Sequence, residues 1–313
     1  MTDNCALALK IDVDTLKGYR EGLPRLLDML KRRGIRASIF FSMGPDNSGK
    51  AVRRIFRRGF VSKMLRTRAP STYGLKTLLY GTLLPAPMIV ESDPGLLRRA
   101  MDEGHDCGVH AWDHVFWQDW LPSLSREAVR GQFARSMELF ERVSGTAPAC
   151  CAAPGWQTTP DALAVQDELG FAYCSDVRGT GPSLPRVFLP RMGGTTFRTP
   201  QIPSTLPTLD ELWGTDGLDA DTVNDRYLDL LEPGVNVHTI HTEMEGGAMS
   251  GVFEALLDAC LEGEMAFMTL REVLAGAAAT ADGGAAPLPV SEVVMRKIPG
   301  RAGTLAVQQA AEG

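Results

Sequence analysis

ALALKIDVD, residues 6–14, opens the chain with an apolar run that ends on two carboxylates, Asp12 and Asp14. A short apolar run followed by a turn reads as a buried strand, here residues 6–13. Alternation along a strand puts Asp12 and Asp14 on the same side. Outward from this strand the pattern repeats. A helical stretch over 20–33, closed by Gly34, leads to a second strand over 37–42, ASIFFS. A helix over 95–103 precedes a third strand over 106–110. Further helices fit 126–143, 159–169, 220–231 and 252–261, and further strands fit 149–153, 172–175, 236–241 and 265–268. Apolar strands alternating with amphipathic helices predict an α/β fold with a parallel sheet. About seven β/α units predict a barrel, closed or imperfect, with chemistry at the C-terminal strand ends.

Composition bounds the function. The 313 residues are 44% hydrophobic and 22% charged, which excludes disordered and fibrous classes. Net charge is −6, so no nucleic-acid partner is expected. The six cysteines form no C-x-x-C pair, and several fall in strand-like runs, as reduced core thiols do. No leader or membrane-spanning run is legible, so a cytoplasmic protein is expected.

Two segments break the rhythm. Residues 47–90 hold nine basic residues and no acidic one. Within 51–65, Val52, Ile55, Phe56, Phe60, Met64 and Leu65 approximate one helical face, with Arg53, Arg54, Arg57, Arg58 and Lys63 largely off it. Such a helix suits an anionic membrane surface. The expected organisation is therefore a catalytic barrel over 1–275, with 47–90 as a basic amphipathic insertion. Residues 276–313 are expected to form an Ala/Gly-rich flexible tail.

The chemistry-bearing residues gather at predicted strand ends. His110 and His114, four apart, share a face if their segment turns helical. With a carboxylate from the first strand they make a His₂Asp set for a divalent metal, leaving positions open for water and substrate. One aspartate can bind metal while the other accepts a proton from water. On the late strand, His238 and His241 are three apart and point to opposite faces. His241, at the strand end, is the candidate general acid, and His238 reads as a packed histidine.

These residues resemble the motifs of the polysaccharide deacetylase superfamily. The resemblance is carried by D-V-D at 12–14, H-x-x-x-H at 110–114 and T-I-H at 239–241. Longer similar phrases are IDVDTLKGYREGLPRLL, ASIFFSMGPDNSGK, HAWDHVFWQ, PGW, SDVRG, QIPSTLPTLDEL and TIHTEMEG, together covering most of residues 6–270. They are most similar to a branch of deformylases that act on a formamido sugar linked to undecaprenyl phosphate.

The resemblance implies a distorted (β/α) barrel with one divalent metal ion, zinc being expected, on Asp14, His110 and His114. It implies Asp12 as catalytic base and His241 as the acid that protonates the leaving amine. It also implies a lipid-linked partner, and hence peripheral association with the anionic inner-membrane surface. The superfamily's base-orienting arginine is missing from Ala152-Ala153-Pro154-Gly155-Trp156. Arg178, beside Asp176, is a candidate substitute, and the Gly155-Trp156 turn is a candidate source of an oxyanion-binding N–H. The competing readings are an N-deacetylase of an acetylated polysaccharide and an inactive lipid- or sugar-binding homologue. A non-haem iron oxygenase also uses His₂-carboxylate ligands, but the surrounding phrases do not favour one.

Overall fold

A computed structural model describes residues 5–51, 76–179, 184, 186–278 and 287–309. The first strand, β1 (Cys5–Val13), divides its side chains between two environments. Leu7, Leu9, Ile11 and Val13 join the core beneath the helices, whereas Ala8 joins a separate interior core with Phe40, Cys150, Tyr173, Ile202 and Val237. Lys10 and Asp12, in phase with Ala8, are therefore carried to the interior, and both are buried.

Parallel strands surround β1. They are β2 (Ser38–Ser42), β3 (Asp106–Ala111), β4 (Cys150–Cys151), β5 (Tyr173–Cys174) and β8 (Gly234–His241), in the order β5-β4-β3-β2-β1-β8. A seventh, β9 (Ala266–Met268), pairs with the start of β1. The sheet curls into a half-barrel clothed by helices, as the alternation predicts. Its two edges are joined by an irregular segment over 200–206. Ile202 N–H donates to Cys174 O (2.9 Å) on one edge, and Thr205 N–H donates to Val237 O (3.0 Å) on the other. Pro200 and Pro203 lack N–H donors, which makes a regular ladder here impossible.

The covering helices follow their local signals. In Pro94–Asp102 the Asp93 side chain caps the start, and in Pro160–Leu169 Thr159 does so, each with Pro in the first turn. Arg126–Ser144 starts on Ser125 and stops at Gly145, whose φ of 82° suits glycine. The predicted helix over 20–33 is shorter, Leu23–Arg32, preceded by a wide turn over Gly18–Gly22. Gly22 is required there because a Cβ would sit 2.0 Å from Thr242 O, on the turn after β8.

The expectation of a flexible tail is corrected for part of its length. Residues 290–309 form β10 (Val290–Arg296) and β11 (Leu305–Gln309), which join β6 (Leu189–Met192) and β7 (Thr195–Thr196) in a second sheet. Leu305 and Val307 bury against Trp156, which explains why an Ala/Gly-rich segment is held. The helical face read over 51–65, with Arg53, Arg54, Arg57, Arg58 and Lys63, lies outside the described residues beyond residue 51. The described flank of that excursion includes a 3₁₀ turn, Thr77–Leu79, followed by Leu83 and Leu84. No described helix is long and apolar enough to cross a membrane.

Register separates the two histidines of β8. His238 pairs with Leu9 and His241 with Asp12, so His238 faces the helices and His241 the interior. His238 meets the Tyr227 ring edge-on, with centroids 4.6 Å apart. Burial pushes its imidazole from 6.5 down to about 3, with His241 and Arg178 adding to the effect. The folded state thus excludes a proton that the unfolded chain accepts. The stability contribution is complete above about 6.5 and is lost as pH falls toward 3. His238→Gln should therefore flatten the acid limb of stability in that window, by up to about 1.4 kcal/mol per pH unit in denaturant titrations. An unchanged slope would show that other groups carry the acid sensitivity.

Candidate metal centre

Three chain segments deliver the ligand set. Asp14 lies one residue beyond β1, His110 lies near the end of β3, and His114 begins the helix His114–Trp120. The chain turns from strand to helix between the two histidines, which brings their rings to 5.3 Å between centroids. Asp113 caps that helix by accepting from Phe116 N–H (2.9 Å), and Asn47 Nδ2 donates to its other oxygen (2.6 Å). His114 is thereby fixed by its immediate neighbour.

Asp14 Oδ1 stands 3.3 Å from His110 Nε2, and Asp14 Oδ2 stands 3.3 Å from His114 Nε2. One donor atom from each of the three residues falls within 4.8 Å of the others. Burial alone would raise the Asp14 carboxyl, but the His114 and His110 imidazoles outweigh it and hold the group well below the usual carboxylate range. Burial would lower His110, yet the Asp12 and Asp14 carboxylates pull it up. Asp14 Oδ1 and His110 Nδ1 are buried without hydrogen-bond partners. Two imidazoles, one carboxylate and an orphaned carboxylate oxygen fit a divalent cation.

Asp12 is set deeper. Its Oδ2 lies 3.5 Å from Lys10 Nζ, and its Oδ1 has no hydrogen-bond partner while standing 4.0 Å from His110 Nδ1. Lys10 is fully buried, donates to Ser175 O (3.0 Å), and lies over the Trp156 ring at 5.2 Å from its centroid. A buried cation thus balances a carboxylate that keeps one oxygen open. The charge near Asp12 had been expected from Arg178. Arg178 instead bonds Glu211 through Nη1 (2.8 and 3.1 Å) and Leu206 O through Nη2 (3.1 Å), and stacks on Trp156. Asp176 is also engaged elsewhere, accepting from Gln166 Nε2 (2.6 Å) and Gln201 Nε2 (3.4 Å). The physical reason is reach. Lys10 shares the inward face of β1 with Asp12, whereas the Arg178 guanidinium is held by Glu211 and Leu206 O.

His241 sits opposite Asp12 in register, and its N–H donates to Glu245 Oε2 (2.9 Å). Burial lowers its imidazole against the opposing pull of Asp14, Asp210 and Asp12, and Arg301 adds to the lowering. At the Gly155-Trp156 turn both residues have positive φ, 58° and 52°. The Trp156 N–H is engaged by Ala153 O (3.2 Å), so of the two expected oxyanion donors Gly155 is the better candidate. A Cβ at Gly155 would lie 2.3 Å from Gln118 Nε2, and its φ of 58° itself favours glycine.

Several supporting residues have no obvious sequence signal. Asp46 accepts from Leu16 N–H (2.8 Å) and so pins the loop after Asp14. Glu243 accepts from Thr15 N–H (2.8 Å) and Thr15 Oγ1 (2.6 Å), and burial pushes its carboxyl up to about 8, with Asp14 adding. Lys10 did carry a signal, a lone cation two residues before Asp12 inside an apolar strand.

Fold and site together define a class. Residues 11–174 match the sequence profile of the polysaccharide deacetylase family, and the chain belongs to that family. Among its relatives is a Shewanella sediminis protein, 37% identical over 96% of this chain and 94% of its own length. It is named probable 4-deoxy-4-formamido-L-arabinose-phosphoundecaprenol deformylase ArnD. A Wigglesworthia glossinidia brevipalpis protein of the same name is 29% identical over 93% and 98% of the two chains. The fold is also that of a Mycobacterium smegmatis protein assigned to the polysaccharide deacetylases, with a TM-score of 0.57 at 13% identity, covering 88% and 91% of the two chains. A peptidoglycan N-acetylglucosamine deacetylase aligns at a TM-score of 0.52 and 17% identity, over 86% and 88%.

The Lys10–Asp12 pair yields a direct test. Removing one partner of a buried ion pair costs about 3–5 kcal/mol. Lys10→Met should lower the melting temperature and depress turnover by at least tenfold, while Lys10→Arg recovers much of both. Wild-type turnover in Lys10→Met would show that Asp12 needs no cation beside it.

Proposed function

We propose that this protein is a metal-dependent deformylase that acts on 4-deoxy-4-formamido-L-arabinose linked to undecaprenyl phosphate, giving formate and the free 4-amino sugar. The observation that carries the reading is the Asp14–His110–His114 cluster, with Asp12 4.0 Å from His110 Nδ1 and His241 opposite Asp12 in register. The names of the two relatives support the substrate. A deacetylase of polysaccharide is the second reading, supported by the family match over residues 11–174.

A divalent ion on Asp14, His110 and His114 would supply Lewis acidity toward the amide oxygen and acidify water toward a pKa of roughly 7. The chain's own residues do the rest. Asp12 offers its open Oδ1 to the proton of the attacking water, while Lys10 holds the other oxygen. The Gly155 N–H stabilises charge developing on the former carbonyl oxygen. His241 delivers a proton to the departing nitrogen. Burial lowers its imidazole, so the proton it hands on is the one that Asp12, opposite it in register, accepts from the attacking water.

The test is hydrolysis of the formylated lipid-linked sugar against an acetylated oligosaccharide, with formate and acetate measured directly. Formate should dominate. His114→Ala should lose stoichiometric metal and nearly all turnover. Asp12→Asn should keep metal and lose turnover by roughly 10²–10⁴-fold. Metal loss in Asp12→Asn with retention in Asp14→Asn would reverse the two roles, and acetate release alone would favour the second reading.

The lipid-linked substrate also supports peripheral association with an anionic membrane surface through residues 47–90. Nine basic residues and no acid contribute attraction of about 1 kcal/mol each when near such a surface. On the described flank, Leu79, Leu83 and Leu84 are exposed, Leu83 to 81%. Vesicle binding should fall with added salt and with combined replacement of Arg53, Arg54, Arg57 and Arg58 by Gln. Binding insensitive to both would leave the segment as an ordinary packed insertion.

A further inference from the structure

The helix His114–Trp120, which begins on a candidate metal ligand, carries a second polar side chain to the Gly155-Trp156 turn. Gln118 stands four residues after His114, so the two share one helix face, a turn apart. Side chains on a helix lean toward its N-terminus, which tilts Gln118 back toward His114. Its far end reaches Gly155, where a Cβ would meet Nε2 at 2.3 Å, Cδ at 2.8 Å and Cγ at 3.0 Å. The side chain therefore lies along the glycine, and only the missing Cβ admits it.

Both ends of the helix are fixed around this contact. Asp113 caps its start and is held in turn by Asn47 (2.6 Å). Near its end, Trp117 Nε1 donates to Gln157 O (3.1 Å), the residue just past the turn. The position of Gln118 is thus set relative to both His114 and Gly155. Its amide, however, is uncommitted: it is half-buried and makes no hydrogen bond to any described residue. The neighbouring Gln157 differs, donating from Nε2 to Gly155 O (3.3 Å) and Thr304 O (2.6 Å). A half-buried amide left with two N–H donors beside a polar site is available to a ligand oxygen.

We propose that Gln118 is a second oxyanion donor, its Nε2 binding the carbonyl oxygen of the substrate amide alongside the Gly155 N–H. The contact tightens as negative charge develops on that oxygen, so it favours the transition state over the bound substrate. Gln118 transfers no proton, and bond making and breaking stay with the water, Asp12 and His241. The inference rests on the amide hydrolysis of the proposed function, though not on which acyl group is removed.

The test uses two replacements of similar length that keep the packing on Gly155. Gln118→Met removes both amide donors, and Gln118→Glu offers acceptors alone. Both residues favour helix, so metal content and melting temperature should match wild type. On the formamido sugar, each variant should lose roughly 10²–10³-fold in kcat, with KM within about threefold of wild type. An N-phosphonamidate of the same sugar mimics the tetrahedral anion, and its affinity should fall by the same factor as kcat/KM. Unchanged kcat, a loss confined to KM, or undiminished phosphonamidate affinity would overturn the proposal and leave Gln118 as packing for the turn. Loss of bound metal in step with kcat would likewise overturn it. If wild type releases acetate from an acetylated oligosaccharide and no formate, the deformylase reading fails, and the same kcat comparison on that substrate decides Gln118. If it hydrolyses neither, phosphonamidate binding decides: weaker binding to Gln118→Met than to wild type supports the donor, and equal binding overturns it.

Discussion

A carboxylate buried inside a barrel is stable only if something opposite in charge is buried with it, and in this protein that partner is Lys10. The two-residue repeat of β1 sends Lys10 and Asp12 to the interior, and Asp14 continues the same phase beyond the strand. The same repeat sends Leu9, Ile11 and Val13 beneath the helices. One strand thus supplies a cation, an open carboxylate oxygen and a metal-fitting carboxylate in sequence. A shift of one residue in register would put all three among leucines. The neighbouring pairings on β2 and β8 hold that register, with Asp12 opposite Phe40 on one side and His241 on the other.

The supporting contacts show how much of the chain is committed to this arrangement. Asp46 and Asn47, just after β2, reach respectively to the loop after Asp14 and to the cap before His114. Glu243, just after β8, grips Thr15 from the other side. These are polar groups buried at strand ends, where backbone donors have no ladder partner. The same hydrogen bonds therefore satisfy the loops and orient the candidate ligands.

Much of this was legible in the sequence where periodicity and chemistry coincided. The alternating strand and helix patterns gave the half-barrel, because apolar spacing follows directly from which face is buried. Asp12, Asp14, His110, His114 and His241 could be singled out because each stands at the end of such a pattern. Lys10 was legible in principle, as a charge within an apolar strand, but a lone lysine has no spacing to match. The closure of the barrel was not legible. Residues 200–206 pair only with Cys174 on one strand and Val237 on another, and such a bridge leaves no periodic trace. The hairpin at 290–309 was hidden by composition. Its hold on the body comes from Trp156 packing and from Arg301, contacts across more than a hundred residues.

Trp156 joins these separately encoded parts. Lys10 from β1, Arg178 from the segment after β5 and Arg301 from the C-terminal hairpin all stack on its ring. An indole face attracts cations without consuming their hydrogen-bonding capacity. Each cation therefore remains able to pair with an anion: Lys10 with Asp12, Arg178 with Glu211, and Arg301 with both Asp210 and Glu211. The ring's backbone pays an evident conformational penalty, since a φ of 52° is unfavourable for a bulky residue. That strain persists because the neighbouring Gly155 turn, the Ser204 bond to the indole N–H (3.0 Å) and the hairpin leucine all fix the same position. The Lys10–Asp12 pair, the Arg178–Glu211 pair and the C-terminal hairpin are consequently coupled through one side chain, although nothing in the linear sequence sets them near one another.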